Sequence, residues 1–162
     1  MSSDRQPDLL RGAIAGLAAG LAASLAMDLA QRALAKMQPE DGEDSEPATE
    51  KAADRVAEAV AGAPVPKAEK PLAGQAVHYT FGALLGVVYG IAAEYDGRVT
   101  AGAGSVLGVG SALLFDEAAV PAAGLGEAPW DASASTHLYS MVSHLIYGTV
   151  AEGTRRLTRS LI

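Results

Sequence analysis

The residues of this chain that could do acid–base work are few: three histidines, His78, His137 and His144, and two aspartates, Asp28 and Asp116, that close otherwise charge-free apolar stretches. Imidazole is the side chain that exchanges a proton near neutral pH, and a carboxylate beside it favours the charged form. Asp28, His78, Asp116, His137 and His144 are therefore a candidate polar cluster for handling a proton or a cation. The competing reading is that they are helix-end residues wetted by headgroups and paired only for structure. His144 follows His137 by seven positions, which puts it on the same helical face and deeper in its stretch. A hydrogen bond to a neighbouring helix is the simplest account of it. Histidines on two helices can hold a haem between them, but three histidines allow at most one such pair and no second signature supports it, so no cofactor is expected. The absence of cysteine removes disulfides, thiolate metal sites and cysteine nucleophiles together. There is no phosphate-binding Gly-Lys-Ser/Thr loop, no nucleophile elbow and no His-Glu-x-x-His pair, and the expected role is non-enzymatic.

The elements that carry these residues are four stretches free of Asp, Glu, Lys and Arg: Gly12 to Met27, Pro71 to Ala93, Val99 to Phe115, and Ala132 to Ala151. A bilayer core about 30 Å thick takes about 20 helical residues, so each stretch is close to spanning length. A soluble Ala-rich bundle is the alternative, and the glycines argue against it. Gly12, Gly16, Gly20, Gly82, Gly86, Gly90, Gly102, Gly104, Gly108 and Gly110 all fall inside these stretches. In water an interior glycine costs about 1 kcal/mol relative to alanine, whereas between membrane helices a small residue lets backbones approach. Gly16, Gly20, Gly104 and Gly108 are the expected helix-packing positions. The expected fold is all-α: a single polytopic membrane domain over 1–162 with four spans at about 10–33, 71–94, 99–121 and 133–154, and a polar acidic loop at 38–70. A cleaved signal peptide would also begin with an apolar run after a basic residue such as Arg11, but this run is long for one and the amino-terminal region is not clearly basic.

An internal repeat organises the spans. Gly16-x3-Gly20-x7-Asp28 reappears as Gly104-x3-Gly108-x7-Asp116, displaced by 88 positions, and Tyr89-Gly90-x2-Ala93-Glu94 as Tyr147-Gly148-x2-Ala151-Glu152, displaced by 58. The chain reads as two tandem helix pairs, related by an axis along the membrane normal, with the acidic loop inserted in the first. Chance likeness between Ala/Gly-rich segments is the competing account. The repeat puts Asp28, Asp116, His78 and His137 on one side and Glu94 and Glu152 on the other, where Glu94, Arg98, Glu152, Arg155 and Arg156 are expected to form charge pairs.

The loop between the first two spans supplies most of the formal charge of −7. Gln38 to Pro47 reads as a flexible linker; Ala52, Val56, Ala59 and Val60 then recur at helical spacing before Gly62, Pro64 and Pro66, which predicts a short amphipathic helix lying on the bundle or the membrane surface, or solvated. An acidic chain without a basic patch is a poor nucleic-acid partner. Basic residues are evenly divided between the two sides, so orientation rests on local density: Asp116 to Asp131 has none, while Arg155, Arg156 and Arg159 follow the last span directly. That predicts cytoplasmic termini, with the acidic loop and the Asp/His cluster outside.

The ordered succession His78, Tyr89, Ala93-Glu94, Pro121, Gly124-Leu125, Pro129-Trp130, His144, Glu152 and Arg155-Arg156 resembles the YagU-like family of bacterial inner-membrane proteins over about Val77 to Arg159. The first half matches only as a Gly/Ala-rich span, and the loop differs in length and composition. The resemblance implies a multi-span protein of the inner membrane without established enzymology. Two roles are then expected: a structural or accessory protein packing with itself or with a larger membrane complex in the lipid bilayer, or, alternatively, a proton- or cation-handling protein that uses the Asp/His cluster near the outer face. The first is favoured, because no continuous relay crosses the span centres.

Overall fold

The computed structural model describes residues 7–35 and 46–162, and no strand occurs among them. The linker expected at Gln38 to Pro47 lies mostly outside the described residues. Helix α1 (Leu9–Ala35) starts where the Asp8 carboxylate accepts the Arg11 N–H. Helix α2 (Ala48–Ala61) is the short amphipathic helix expected in the loop; it ends at Gly62, which takes the left-handed conformation (φ 74°) and donates its N–H to the Glu58 carbonyl. Helix α3 (Lys70–Tyr95) has Pro71 in its first turn, where a missing N–H costs nothing. After the 3-10 segment Gly97–Gly104 come α4 (Ser105–Ser111), a π-helical stretch (Ala112–Ala119) and the short α5 (Val120–Ala122). Helix α6 (Ala134–Leu161) is capped by the Ser133 hydroxyl on the Thr136 N–H.

Small residues are inside and large apolar ones outside. Ala15, Ala19, Ala23 and Ala151 are fully buried, while Leu10, Ile14, Leu17, Leu21 and Leu25 run exposed along α1, with Leu84 and Val88 on α3 and Leu113 and Leu114 beyond α4. This inverts the pattern of a soluble core and suits a lipid surround. The centre is Ala19, Ala23, Met27, Tyr147 and Ala151. Along the α1–α3 seam Gly12, Gly16 and Gly20 meet Gly90, Gly86 and Gly82 in reverse order. A β-carbon on Gly16 would stand 2.2 Å from the Gly86 carbonyl oxygen, and one on Gly20 2.3 Å from that of Gly82. The α4–α6 seam is made the same way, a β-carbon on Gly104 falling 2.0 Å from the Gly148 oxygen and one on Gly108 2.6 Å from that of His144.

Three stretches are long and apolar enough to cross a membrane among the described residues: Leu9–Leu34, Lys70–Tyr95 and Gly97–Ala122. The expectation of four spans is corrected on this point. Helix α6 has the length, but His137, His144, Glu152, Arg155, Arg156 and a run of Ser and Thr leave it short of the apolarity. The third stretch is also not one continuous helix: Gly102, Ala103 and Gly104 have φ of 63°, 52° and 91°, and they break it between the 3-10 segment and α4. Glycine at 102 and 104 makes the left-handed turn accessible, and at 104 it also admits the α6 backbone.

Helix α2 closes one end of the bundle. A β-carbon on Gly74 of α3 would stand 2.7 Å from Glu50 Cγ, Lys70 bonds both Asp54 and Glu46, and the Arg55 guanidinium donates to the carbonyls of Ala123 and Gly124 beyond α5.

Candidate functional site

The π-helical stretch positions the site. In an ordinary helix successive side chains diverge by about 100°; the wider i→i+5 turn reduces that angle, and such turns recur at functional positions. Here the neighbours Asp116 and Glu117 both reach α6. Asp116 Oδ2 lies 3.1 Å from His144 Nε2 and also accepts the Ser140 hydroxyl. Glu117 Oε1 lies 2.6 Å from His137 Nδ1, while His137 Nε2 lies 3.0 Å from the Pro129 carbonyl. Because His137 and His144 are seven residues apart on α6, about 10 Å along its axis, the two acid–histidine contacts form successive rungs. His137 and Glu117 are partly exposed, at 37% and 25%; in the other rung the His144 side chain retains only 11% exposure while Asp116 is 38% exposed. Behind His144, its Nδ1 is 3.0 Å from Ser111 Oγ, and that hydroxyl is 2.9 Å from the Gly108 carbonyl.

The expected five-residue cluster is thus divided. Asp28 bonds Arg32 on its own helix and Gln75 on α3, and His78 Nε2 lies 3.3 Å from the Ser24 carbonyl. Neither has a hydrogen bond to Asp116, His137 or His144, and His137 takes Glu117 rather than an aspartate. Glu117, Ser111, Ser140 and Gln75 were not singled out in the sequence. Among the described residues no three His, Asp or Glu side chains converge as metal ligands. The order Ser111, His144, Asp116 is that of a nucleophilic triad, but Ser111 is buried and its hydroxyl has a backbone acceptor, and neither of the two surface grooves described below includes it.

The opposite end holds a second set of polar contacts. The Glu152 carboxylate, 2% exposed, receives the Tyr89 hydroxyl at 2.7 Å, two bonds from Arg155 at 2.7 and 2.9 Å and one from Arg156. Arg155 also stands over the Tyr89 ring, 5.9 Å from its centroid. Glu94 is bound by Arg159 at 2.7 and 3.1 Å and by the Asp8 N–H, not by Arg98. Arg98 is 91% exposed and pairs with Asp96 instead, holding that carboxyl below its ordinary range. Charge pairing by sequence proximity selected Arg98; α6 runs alongside α3 in the same direction, Tyr147 at Gly82 and Glu152 at Tyr89, and so brings Arg159 to Glu94.

The two seams match most closely in their contacts when Gly12 is set against Gly104 and Gly16 against Gly108, since Gly90 meets Gly12 and Gly16 as Gly148 meets Gly104 and Gly108. That is a displacement of 92, one helical turn beyond the 88 read from the Gly-x3-Gly-x7-Asp pattern.

Apolar helices of spanning length, leucine outside and glycine seams inside, define the class as a helical integral membrane protein. Residues 62–153 match a family described as protein of unknown function (DUF1440), and the chain belongs to that family. No curated protein and no solved structure matches it.

Proposed function

We propose that this chain is a small structural or accessory protein of the bacterial inner membrane, non-enzymatic, whose lipid-facing helices pack with one another's copies or with a larger membrane complex. The observation that supports it is the separation of the polar groups. The Asp116–His144–Ser111 contacts and the Glu152–Tyr89–Arg155 contacts are about two turns of α6 apart, and in the centre between them lie Ala19, Ala23 and Ala151 with the buried hydroxyls of Ser24, Ser143 and Tyr147, none of which is hydrogen-bonded to either set. A transported ion would need continuous polar contacts through that centre. Two open apolar grooves offer surfaces to lipid or a partner helix, one of about 250 Å³ between Leu85, Tyr89 and Leu107 and one of about 310 Å³ between Leu17, Leu21 and Tyr79. The YagU-like succession of motifs supports the inner-membrane location, and the density of Arg155, Arg156 and Arg159 in the last turns of α6, which Glu94 holds at the same end as the start of α1, supports cytoplasmic termini. The equivalent glycine seams support two tandem helix pairs.

Isolation of the full chain in native-lipid nanodiscs tests this reading: a reproducible stoichiometric membrane partner or a defined homo-oligomer is expected. A monomer found alone in every preparation counts against it.

A second reading, proton handling at the acid–histidine rungs, is favoured by one observation. His144 is buried against a carboxylate that a π-helical turn presents to it. Acid-driven proton uptake into vesicles containing the chain would support this reading over the first.

A further inference from the structure

The Ser111 hydroxyl lies within hydrogen-bond distance of two atoms and has one hydrogen to give. Gly108 O is 2.9 Å away and His144 Nδ1 is 3.0 Å away. If the hydrogen goes to Gly108 O, Ser111 Oγ is free to accept, and Nδ1 must carry a proton to bond it. Since Nε2 faces the Asp116 carboxylate at 3.1 Å and bonds it by donating, both ring nitrogens are then protonated. If the hydrogen goes to Nδ1 instead, the imidazole is neutral and Nε2 keeps the only ring proton. The same heavy-atom positions serve both states.

We propose that His144 is a binding site for one proton, taken up at Nδ1 and accommodated by rotation of the Ser111 hydroxyl. The proposal rests on the proton-handling reading and names its site. Proton uptake converts a carboxylate facing a neutral ring into a neutral ion pair. At the His144 ring, which retains only 11% exposure, a charge without a partner is the costly species, and the partly exposed Asp116 carboxylate supplies that partner. It also turns the bond to Ser111 into a charge-assisted one while Ser111 gains Gly108 O as acceptor. The Gly108 backbone already lies against the His144 carbonyl, so the seam cannot close further around the site.

The charged and titratable groups around the site are few. From the π-helical stretch it meets Asp116, with Glu117 one position on and engaged by His137; from its own helix it has Ser140, which donates to Asp116. On α1 Asp28 and Arg32 are bonded to each other, and on α3 His78 is bonded to the Ser24 carbonyl; none has a hydrogen bond to His144.

The test is nitrogen-15 NMR of ring-labelled histidine in the full chain in lipid nanodiscs, titrated across about pH 5 to 8, the interval in which imidazoles change charge. The expected result is a His144 signal that passes from a ring protonated only at Nε2 to one protonated at both nitrogens. In Ser111→Ala half-occupancy should require roughly tenfold more protons, the loss of about one charge-assisted hydrogen bond. A parent ring whose protonation is constant across the interval, or a neutral form carrying its proton on Nδ1, overturns the proposal whether or not Ser111→Ala folds. Vesicle flux separates this outcome from failure of the underlying reading. A site that titrates without flux removes proton transport and keeps the proton site.

Discussion

The Tyr147 hydroxyl donates to the Gly82 carbonyl at 2.6 Å, and both are buried. The bond ties α6 to α3 across the middle of the bundle, and at the same place Gly82 admits α1: a β-carbon there would stand 1.9 Å from Ser24 Oγ, while at 3.4 Å from Tyr147 Cε2 it would make an ordinary contact. Tyr147→Phe keeps the ring and loses only the hydroxyl, so it should cost about 0.5–1.5 kcal/mol in a reversible detergent or lipid unfolding assay. A loss of several kcal/mol would mean that the ring position depends on the bond.

The glycine seams make opposite predictions for glycines of one helix system. Gly16→Ala and Gly86→Ala place a methyl group against backbone and should each destabilise by about 1–3 kcal/mol; Gly20→Leu and Gly108→Leu should disrupt the bundle. Gly110 and Gly153 have open space where a β-carbon would go, so Gly110→Ala and Gly153→Ala should be tolerated. Equal melting curves for all four alanine variants would remove the packing account.

Glu152 is the group whose loss should cost most at the opposite end. Glu152→Ala leaves the largely buried Arg155 without its carboxylate, and a broken buried pair costs about 3–5 kcal/mol. Arg156→Ala removes a partner that is 61% exposed and should cost no more than about 1 kcal/mol. The ratio of the two effects is measurable by parallel denaturation; comparable losses would show that the network acts as a single unit.

Docking of α2 should depend on acidity in a defined direction. The hydrogen bond from Lys70 holds the Asp54 carboxyl below its ordinary value of 3.8. A carboxyl lowered by folding contributes stability that is complete above that ordinary value and disappears as pH falls through the folded one. Amide exchange in α2 should therefore rise below about pH 4 in the parent, and be high at neutral pH in Asp54→Asn. Slow exchange in that variant at neutral pH would assign the docking to Arg55 and Gly74 alone.

Much of this arrangement was legible from periodicity and composition. Charge-free stretches gave the apolar helices, Gly62 gave the end of α2, and Gly16, Gly20, Gly104 and Gly108 stand at close backbone approaches. The partner of His137 was not legible, because in an α-helical reading Glu117 points about 100° away from Asp116 and no residue type announces a π-helical turn. Nor was the partner of Glu94, which depends on where α6 returns rather than on sequence distance. The repeat was read by aligning Gly16, Gly20 and Asp28 with Gly104, Gly108 and Asp116, and that register proved one turn out of step with the contacts, which match Gly12 with Gly104 and Gly16 with Gly108. The break at Gly102 to Gly104 was hidden by a glycine spacing that serves close packing equally well.

The inverted distribution of side-chain size has a consequence for how such a chain can diverge. On the outer face Leu17, Leu21, Leu84, Val88 and Leu113 meet a fluid solvent with no shape of its own, so exchange among leucine, valine, isoleucine and phenylalanine is nearly free. Along the glycine seams the admissible alphabet shrinks to the smallest residues, and each step upward in volume meets main chain. Lineages of this fold should therefore drift rapidly in the residues that give it hydrophobicity while retaining a skeleton of its smallest ones, the reverse of the bias that governs water-soluble domains.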